Sequence, residues 1–535
     1  MGRRAQIFVP FGVVLPALWW VIDATWRASW TTLGRDQGIF QYIAWAVRQG
    51  DVLYRDVRDV NGPVITMVHV FFQWLGGEDE HRFRVLDLTV TGASFVVAGA
   101  LVAAKARRGE RALWGLAAWV ALSAQYLSFG FWDTAQRESF LDWFALVSIA
   151  LFFAADEVRS RRGAAMVVLA GAASFLPWLG KPTFALFTVA EVLAIVLGED
   201  RRRRFVLFAL GGAAGLLVPF LFLLACGDVR AWAHITFVDV PAMYRFIWPR
   251  PAGAILSMPG YKSIAVLAVL TSLGTSALIA RRVLPTRALP IALMPVLALV
   301  SMLVQAKGFP YHFHPITAGT TFAWIVAAAA LRRRVPLLAL AGAGAIGIHA
   351  AVLGRAAPYP PAPSPGARTT AALESAERLR WFDRIDYFPH QMRVAAAAVA
   401  SSTKPTDRVQ TYAMDPYLLF LARRLSATPY IYAYDLNVDA AAAGGWEEGA
   451  VRPTREQAAV IRAMRDRHAA DLLARITQDP PAAFVLVSLS PLMSNTNAHL
   501  DFDAHCPRAA SFMREKYTNR GGYPSEVWVR DDLLQ

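Results

Sequence analysis

Cysteine is scarce in this sequence: Cys226 and Cys506 are the two thiols among 535 residues. Two cysteines cannot form the multi-bridge framework of a small secreted protein, and they cannot supply a thiolate zinc site. A single disulfide between them stays open if both lie outside the reducing cytoplasm.

Charged residues are also few, at 18% of the chain, while hydrophobic residues make up 56% and the mean hydropathy is +0.36. A composition this apolar excludes a soluble protein of three or four domains, and it excludes a disordered chain. The sequence therefore predicts a membrane protein.

Acidic residues are outnumbered, with 40 Asp and Glu against 54 Lys and Arg, which gives a formal net charge of +14. The basic residues recur as short clusters between apolar runs. These clusters are Arg3-Arg4, Lys105 to Arg111, Arg159 to Arg162, Arg201 to Arg204, Arg281 to Arg287 and Arg332 to Arg334. Cytoplasmic loops of membrane proteins carry such clusters, so we expect no nucleic-acid partner.

Apolar runs of the length that crosses a membrane, about 20 residues, recur along the first two thirds of the chain. They predict about eleven transmembrane helices in a polytopic, mainly α-helical bundle. The predicted spans are residues 6–24, 82–104, 112–130, 139–155, 164–180, 183–198, 205–225, 261–280, 288–305, 315–331 and 336–353.

The apolar run Val64 to Leu75 is too short for a span, because at about 1.5 Å per residue it covers about 18 Å of a hydrocarbon core of about 30 Å. We predict that it forms a helix on the outer membrane surface. Every basic cluster then falls on the cytoplasmic side, with the N-terminus inside and the C-terminus outside. No small-residue cleavage site follows the first apolar run, so we expect an uncleaved first span.

Three regions follow from this assignment. Residues 1–353 form the transmembrane domain, whose first outer loop is residues 25–81. Residues 354–372 form a proline-rich linker, and residues 373–535 form an extracytoplasmic soluble α/β domain. Within that domain we predict strands at 408–414, 428–434, 482–490 and 526–530, and helices at 417–424 and 453–478.

The first outer loop is rich in carboxylates. Asp36 stands at the predicted start of a helix that runs to about Gln49, where a carboxylate is favoured by free backbone N–H groups. It could therefore be a simple helix cap or a functional acid. Asp56 and Asp59 lie in a turn-rich stretch before Pro63, and they could be solvated turn residues.

The stretch LGRDQGIFQYIAWAVRQGDVLYRDVRDVNGP, residues 33–63, resembles the first outer loop of the GT-C glycosyltransferases. The similarity is to the bacterial branch, family 39-like, that is related to protein O-mannosyltransferases and to the lipid A aminoarabinose transferase. It consists of a carboxylate opening an amphipathic helix past the first span, then Tyr-Arg-Asp, and a Gly-Pro before a short surface helix. The resemblance implies many spans, two surface helices in this loop and a soluble C-terminal domain.

The resemblance also implies a function and a set of site residues. A sugar, hexosyl or pentosyl, would pass from a polyprenyl-phosphate donor to a glycan, lipid or protein acceptor outside the bacterial inner membrane, with inversion. Asp36 would be the catalytic base, with Asp59 as possible support. Gln37 stands where many members carry a second acid, so a divalent cation is neither required nor excluded, and no cofactor is assigned.

The second outer loop, GFWDTAQRESF, is dense in charge. Glu138 is the candidate to orient the acceptor or to hold a cation, because related enzymes place acids of this loop beside the first-loop Asp. Arg137 is its expected ion-pair partner and a candidate substrate contact. The alternative is that these residues only cap a helix at the interface.

Cations for the donor phosphate are expected at three other places. Lys307 and His312 occur in QAKGFPYHFHP, Lys181 in LGKPTF, and Arg245 in MYRFIWPRP. Each of these residues could instead lie at the membrane interface without binding a phosphate, as a lysine does when its side chain extends to the headgroups. His312 and His314 could also bind a metal, although no third ligand is spaced nearby.

A carrier or flippase of lipid-linked saccharides is the alternative function, without chemistry. Charges inside the spans would favour it. Here the charges lie mostly in outer loops, with Glu191 as the mid-span exception. A receptor with an outer binding domain would not need the first-loop carboxylates.

Overall fold

The membrane part of the chain is a bundle of long apolar helices. The computed structural model describes residues 7–363, 388–444, 451–488 and 497–534. Among them, eight helices are long and apolar enough to cross a membrane. These are Phe8–Ala28, Glu80–Val102, Arg161–Leu179, Arg201–Cys226, Tyr261–Ala280, Thr286–Gln305, Pro310–Leu331 and Pro336–Ala356.

Three further helices, Arg108–Leu127, Arg137–Ala154 and Ala185–Val196, stand at the remaining predicted spans. The first two are less apolar than the other eight because they begin with charged residues. The third is shorter than the other eight. Every predicted span thus coincides with a helix. The chain is a multi-pass membrane protein with the predicted helical bundle.

Two helices form the first loop, Arg35–Arg48 and Pro63–Gly76. The second has proline at its first turn, where the missing N–H costs no hydrogen bond, and its Phe71, Trp74 and Leu75 are exposed. This apolar exposed face agrees with the predicted surface helix. A Cβ on Gly62, just before it, would lie 1.9 Å from the carbonyl oxygen of Leu179, so only glycine fits this close approach.

The basic clusters meet at one end of the bundle, which we call the basic end. Arg287 Nε donates to the carbonyl of Phe153 at 2.7 Å, and Arg204 Nη1 donates to that of Ala155 at 2.7 Å. Lys105 pairs with Asp156. This clustering is consistent with the positive-inside assignment, although the orientation itself stays a prediction, and Arg3-Arg4 lies outside the described residues.

The C-terminal part contains a five-stranded sheet of order β2-β1-β3-β5-β4, as an α/β domain requires. The strands are β1 Arg408–Tyr412, β2 Leu425–Ser426, β3 Ala483–Val487, β4 Tyr517–Asn519 and β5 Ser525–Arg530. Strand β1 is parallel to β2 and β3, and β5 is antiparallel to β3 and β4. The helices around it are Phe388–Ser402, Tyr417–Ala422, Asp439–Ala443, Arg455–Gln478, Ala498–His505 and Pro507–Lys516.

The strand predicted at 428–434 is wrong. That stretch has no strand and ends in the short turn of 3-10 helix Ala433–Asp435. Thr428 bonds to Gln410 through its hydroxyl at 2.6 Å, and Pro429 has no N–H for a ladder. The predicted strand at 482–490 is present as β3, and its last two residues lie outside the described ranges.

The C-terminal part packs on the first loop through both apolar and charged contacts. Tyr417 is fully buried against Gly38, where an added Cβ would lie 2.6 Å from the Tyr417 ring. Arg408 Nη2 lies 2.6 Å from Asp51 Oδ1, and the Tyr42 hydroxyl accepts from the Ser426 N–H at 2.8 Å. These contacts join the last third of the chain to its first sixty residues.

The proposed linker is only partly described. Tyr359 within it is buried, and its carbonyl accepts a 2.7 Å hydrogen bond from Arg27 Nη1. Residues 364–387 lie outside the described ranges, so the boundary at residue 373 stays a prediction. Cys226 and Cys506 are both free thiols, with Cys506 buried.

Candidate active site

A cavity with about 760 Å³ of empty space, including its mouth, lies where the first loop, the adjacent helix ends and the C-terminal part meet. Its polar lining residues are Asp36, Asn61, Gln136, Arg137, Glu138 and Lys307. Its aromatic lining residues are Phe40, Tyr244, Trp248, Phe309, Tyr311, Tyr432 and Tyr434. A concave site with a few converging polar groups and aromatic walls is the usual form of a small-molecule site.

Asp36 is placed at the cavity by the start of the helix Arg35–Arg48. The helix is capped without it: the backbone N–H of Gly34 donates to Gln37 Oε1 at 2.7 Å, in a capping box. Among the residues that the structure describes, the Asp36 carboxylate has no hydrogen-bond or ion-pair partner. The simple helix-cap interpretation is therefore not what the structure contains.

Burial is the main influence on the Asp36 carboxyl. It raises the pKa of Asp36 from 3.8 to about 6, against the lowering effect of the positive charges of Arg137 and Arg35. A carboxylate with a pKa near 6 is ionised at neutral pH, and it accepts a proton more readily than a solvated aspartate.

Glu138 is the centre of a cationic cluster on the cavity wall. Its Oε1 lies 3.3 Å from Arg137 Nη2 and 3.5 Å from His312 Nε2, and it also pairs with Lys181. Its Oε2 is buried with no hydrogen-bond partner in the described ranges. The expected Arg137–Glu138 pair is thus present, and two further cationic or protonatable groups share the same oxygen.

Arg137 carries the positive charge of this cluster to the cavity surface. Its Nη1 donates to Asn61 Oδ1 at 2.5 Å, and its buried Nε has no hydrogen-bond partner within the described part of the chain. Asn61 is held in turn by Asp59, whose Oδ1 accepts from the Asn61 side chain at 2.8 Å and from its N–H at 3.0 Å. The first loop therefore fixes the position of the guanidinium.

Asp59 is buried behind this arrangement and does not line the cavity. Tyr432 Oη lies 3.4 Å from its Oδ1, which links the first loop to the C-terminal part. Burial raises the pKa of Asp59 to about 6, opposed by the hydrogen bonds from Asn61. Its contacts make it a positioning residue.

The C-terminal part closes one side of the cavity, which we call the roof: Met414, Tyr432 and Tyr434. The two tyrosine rings stack with centroids 4.8 Å apart. Next to them, Arg58 Nη2 lies 2.9 Å from Asp239 Oδ2 and 3.2 Å from Asp435 Oδ1. These buried ion pairs hold the roof against the first loop.

Structural comparison finds solved membrane proteins that share this architecture. The chain is similar to ArnT from Cupriavidus metallidurans bound to undecaprenyl phosphate, with a TM-score of 0.53 and 14% identity, over 97% of this chain and 98% of that one. The chain has the GT-C fold. The archaeal oligosaccharyltransferase AglB from Archaeoglobus fulgidus, in complex with an inhibitory peptide and a dolichol-phosphate, is similar at a TM-score of 0.46 and 11% identity, over 99% of this chain and 74% of that one. No protein-family model matches the sequence, and no curated protein matches it significantly.

Within this GT-C fold the remaining predicted cations have other contacts. Lys307 lines the cavity, but its ammonium donates to the carbonyls of Tyr244 at 2.8 Å and of Ile247. Arg245 is exposed, with its guanidinium 4.5 Å from the Phe246 ring centroid, and it does not line the cavity. Lys181 and His312 stand behind Glu138. Contact with a phosphate stays a prediction for all four.

The two histidines of QAKGFPYHFHP point to different places. His312 faces Glu138, whereas His314 Nε2 lies 2.7 Å from the carbonyl oxygen of Asp133. No group of three or more His, Cys, Asp or Glu side chains arranged to hold a metal ion occurs in the described residues. The Gln37 side chain, which stands where many GT-C members carry a second acid, hydrogen-bonds to protein groups. Its Nε2 donates to Phe131 O at 2.8 Å, and its Oε1 accepts from Arg84 at 2.5 Å.

Sequence reasoning missed the aromatic walls and the roof of the cavity. Tyr432 and Tyr434 alternate along the chain, a pattern that is typical of a strand and carries no sign of a distant cavity. Asp133 was recognised as part of a charged loop without a role. Burial, and then the charge of Asp36, raises the pKa of Asp133 to about 7, so a second carboxyl lies close to the first.

Proposed function

We propose that this chain is a glycosyltransferase that moves a sugar from a polyprenyl-phosphate donor to an acceptor hydroxyl in this cavity. One observation carries the proposal: the Asp36 carboxylate, which has no partner among the described residues, and the Arg137 guanidinium line the same cavity of a GT-C fold. The similar ArnT structure contains undecaprenyl phosphate, which supports a lipid-phosphate donor. The apolar spans offer the surface on which a polyprenyl chain would lie.

The proposed reaction is a single displacement at the anomeric carbon. Asp36 accepts the proton of the acceptor hydroxyl as its oxygen attacks that carbon. The bond from the anomeric carbon to the phosphate oxygen breaks, and the polyprenyl phosphate leaves with the electron pair. Attack from the face opposite the leaving group inverts the anomeric configuration.

Arg137 is the cation that we assign to the leaving phosphate. Its guanidinium lines the cavity, where it can form charge-assisted hydrogen bonds with phosphate oxygens, and Asn61 and Glu138 hold it in place. Glu138 holds Arg137, Lys181 and His312 together, and Asp59 holds Asn61 against Arg137. Lys307 would have to release backbone carbonyls to reach a phosphate.

Side and location follow from the basic end. The cavity lies at the other end of the bundle, and the positive-inside rule supports a position outside the cytoplasm for it. We therefore propose transfer at the extracytoplasmic face of a bacterial inner membrane. The roof is the surface that we expect to select the acceptor, which is a glycan, a lipid or a protein.

Transport without chemistry gains no support from the site. Glu191, the mid-span acid, accepts a 2.6 Å hydrogen bond from Ser148 Oγ and does not line the cavity. The charged groups of the cavity, Asp36 and Arg137, lie in outer loops and not at mid-span, where charges would favour a carrier.

The test is Asp36→Asn in purified protein reconstituted with polyprenyl-phosphate sugars. Asparagine keeps the size of the side chain but cannot accept the proton, so we expect transfer to fall by about 10²- to 10⁴-fold. Donor binding, measured separately by labelled polyprenyl phosphate, should be retained.

Asp56→Asn is the matched control, because Asp56 lies in the same loop but pairs with Arg55 at the surface. This control should keep wild-type transfer. Unchanged transfer in Asp36→Asn would refute the assignment of the base. Equal loss of donor binding and transfer would refute a purely chemical role for this carboxylate.

A further inference from the structure

A second cavity lies at the basic end of the bundle, opposite the candidate active site. Three helices connect the two ends: Glu80–Val102, Arg137–Ala154 and Pro310–Leu331 each begin near the first cavity and end at the second. A helix of the length of Glu80–Val102, 23 residues, spans about 35 Å at about 1.5 Å per residue. The second cavity, which we call the basic-end cavity, has about 930 Å³ of empty space including its mouth.

Five cationic side chains line the basic-end cavity: Lys105, Arg287, Arg332, Arg333 and Arg334. Its described lining contains no aspartate or glutamate. Two carboxylates adjoin it, because Asp156 pairs with Lys105 and Glu110 pairs with Arg332. The cations come from three different loops and outnumber these acids, so the cavity has a positive charge that suits an anion.

Arg332 is the most deeply placed of these cations. Its side chain is buried, its Nη1 donates to the carbonyl of Ala329 at 2.6 Å, and its buried Nε has no hydrogen-bond partner in the described part of the chain. A buried guanidinium N–H without a partner is costly in a protein interior. Arg332 therefore contributes a fixed positive charge to the wall of the basic-end cavity.

The other walls of the basic-end cavity are apolar. Leu101, Val102, Phe153 and Val283 contribute to them at the ends of the helices. Exposed Leu337 and Leu338 on the next helix mark the adjacent lipid-facing surface. A site with a cationic rim and apolar walls beside the bilayer suits an amphiphile more than a free inorganic ion.

We propose that the basic-end cavity binds the phosphate headgroup of an anionic phospholipid, with the acyl chains along the neighbouring helices. Guanidinium groups match phosphate oxygens in pairs, and basic pockets between transmembrane helices recognise such headgroups. The positive-inside rule alone explains why basic residues lie at this end of the bundle, but it does not explain why five of them line one cavity. The exposed cluster Arg201 to Arg203 obeys the same rule and does not line the basic-end cavity.

The experiment compares two triple variants of the full chain with equal loss of charge at the same end of the bundle. The cavity variant is Lys105→Gln/Arg333→Gln/Arg334→Gln, and the control variant is Arg201→Gln/Arg202→Gln/Arg203→Gln. All six side chains are exposed, so both variants are expected to fold. Native mass spectrometry of purified protein then measures retained phosphatidylglycerol, with phosphatidylcholine and inorganic phosphate as separate probes.

We expect wild-type protein and the control variant to bind phosphatidylglycerol alike. The cavity variant should bind it about 100-fold more weakly, because it loses three cations that would contact the headgroup phosphate directly. Three outcomes would overturn the proposal. These are equal losses in both triple variants, equal retention of phosphatidylcholine by wild-type protein, and displacement of the lipid by inorganic phosphate at the same concentration. The readout is independent of sugar transfer.

Discussion

Glu138→Gln is the substitution that most directly tests the cationic cluster. Glu138 and Lys181 have side chains only 2% and 8% exposed, and one carboxylate oxygen serves Arg137, Lys181 and His312. Glutamine fills the same space but brings no negative charge. Two buried cations then repel each other without a counter-charge.

The magnitude follows from the contacts. At an effective dielectric constant of about 20, two unit charges at the Arg137–Glu138 distance of 3.3 Å attract by about 5 kcal/mol. Desolvation and repulsion between the cations reduce the net value, and removal of one partner of a buried pair costs about 3–5 kcal/mol. We therefore expect Glu138→Gln to lower the free energy of unfolding by about 3–5 kcal/mol.

The assay is a double-mutant cycle with Lys181→Met, measured by reversible unfolding of purified protein in detergent. Lys181→Met removes the unbalanced charge, so the double variant should regain about 1–3 kcal/mol relative to the sum of the single effects. Asp466→Asn is the control, because its ion pair with Arg465 is exposed and its loss should leave unfolding unchanged. Additivity within about 0.5 kcal/mol would refute the shared role of Glu138.

Two further predictions concern the first loop. Because burial raises the pKa of Asp36 to about 6 and the base must be ionised, transfer should fall about tenfold per pH unit below about pH 6 and stay level above it, in a pH–rate profile. A midpoint near pH 4 would contradict a buried base. Gly38→Ala should lower the free energy of unfolding by about 1–3 kcal/mol, because the new Cβ would lie 2.6 Å from the Tyr417 ring. Gly253→Ala, which meets nothing within 4 Å, should leave unfolding unchanged, and equal effects of the two substitutions would contradict the close contact.

The membrane bundle could be predicted from sequence because its cause is local. A run of apolar residues either spans the hydrocarbon core or does not, and Val64 to Leu75 is too short by simple length. The structure has the helix Pro63–Gly76 there, with an exposed apolar face. The five-stranded sheet was predicted only in part, since β4 is three residues long and carries little periodicity.

The residues of the candidate site also divide into those that a local sequence pattern reveals and those that it does not. Asp36, Arg137 and Glu138 are conspicuous in the sequence as charges at the ends of apolar runs, and the resemblance to the GT-C glycosyltransferases implied roles for Asp36 and Glu138. All three line the cavity. Tyr432 and Tyr434 were missed because their partners lie hundreds of residues away. Lys307 was assigned to a phosphate because no sequence pattern reveals that backbone carbonyls around residue 244 surround its ammonium.

The roof is made of residues that are synthesised late, which affects the order in which the cavity forms during translation. The chain emerges from its N-terminal end, so Asp36 enters the membrane environment long before Tyr434, at position 434 of 535, has been synthesised. Until Met414, Tyr432 and Tyr434 have been synthesised, the cavity lacks the wall that these three residues form. The long membrane helices end at Ala356, so the roof is the last wall of the cavity to be synthesised.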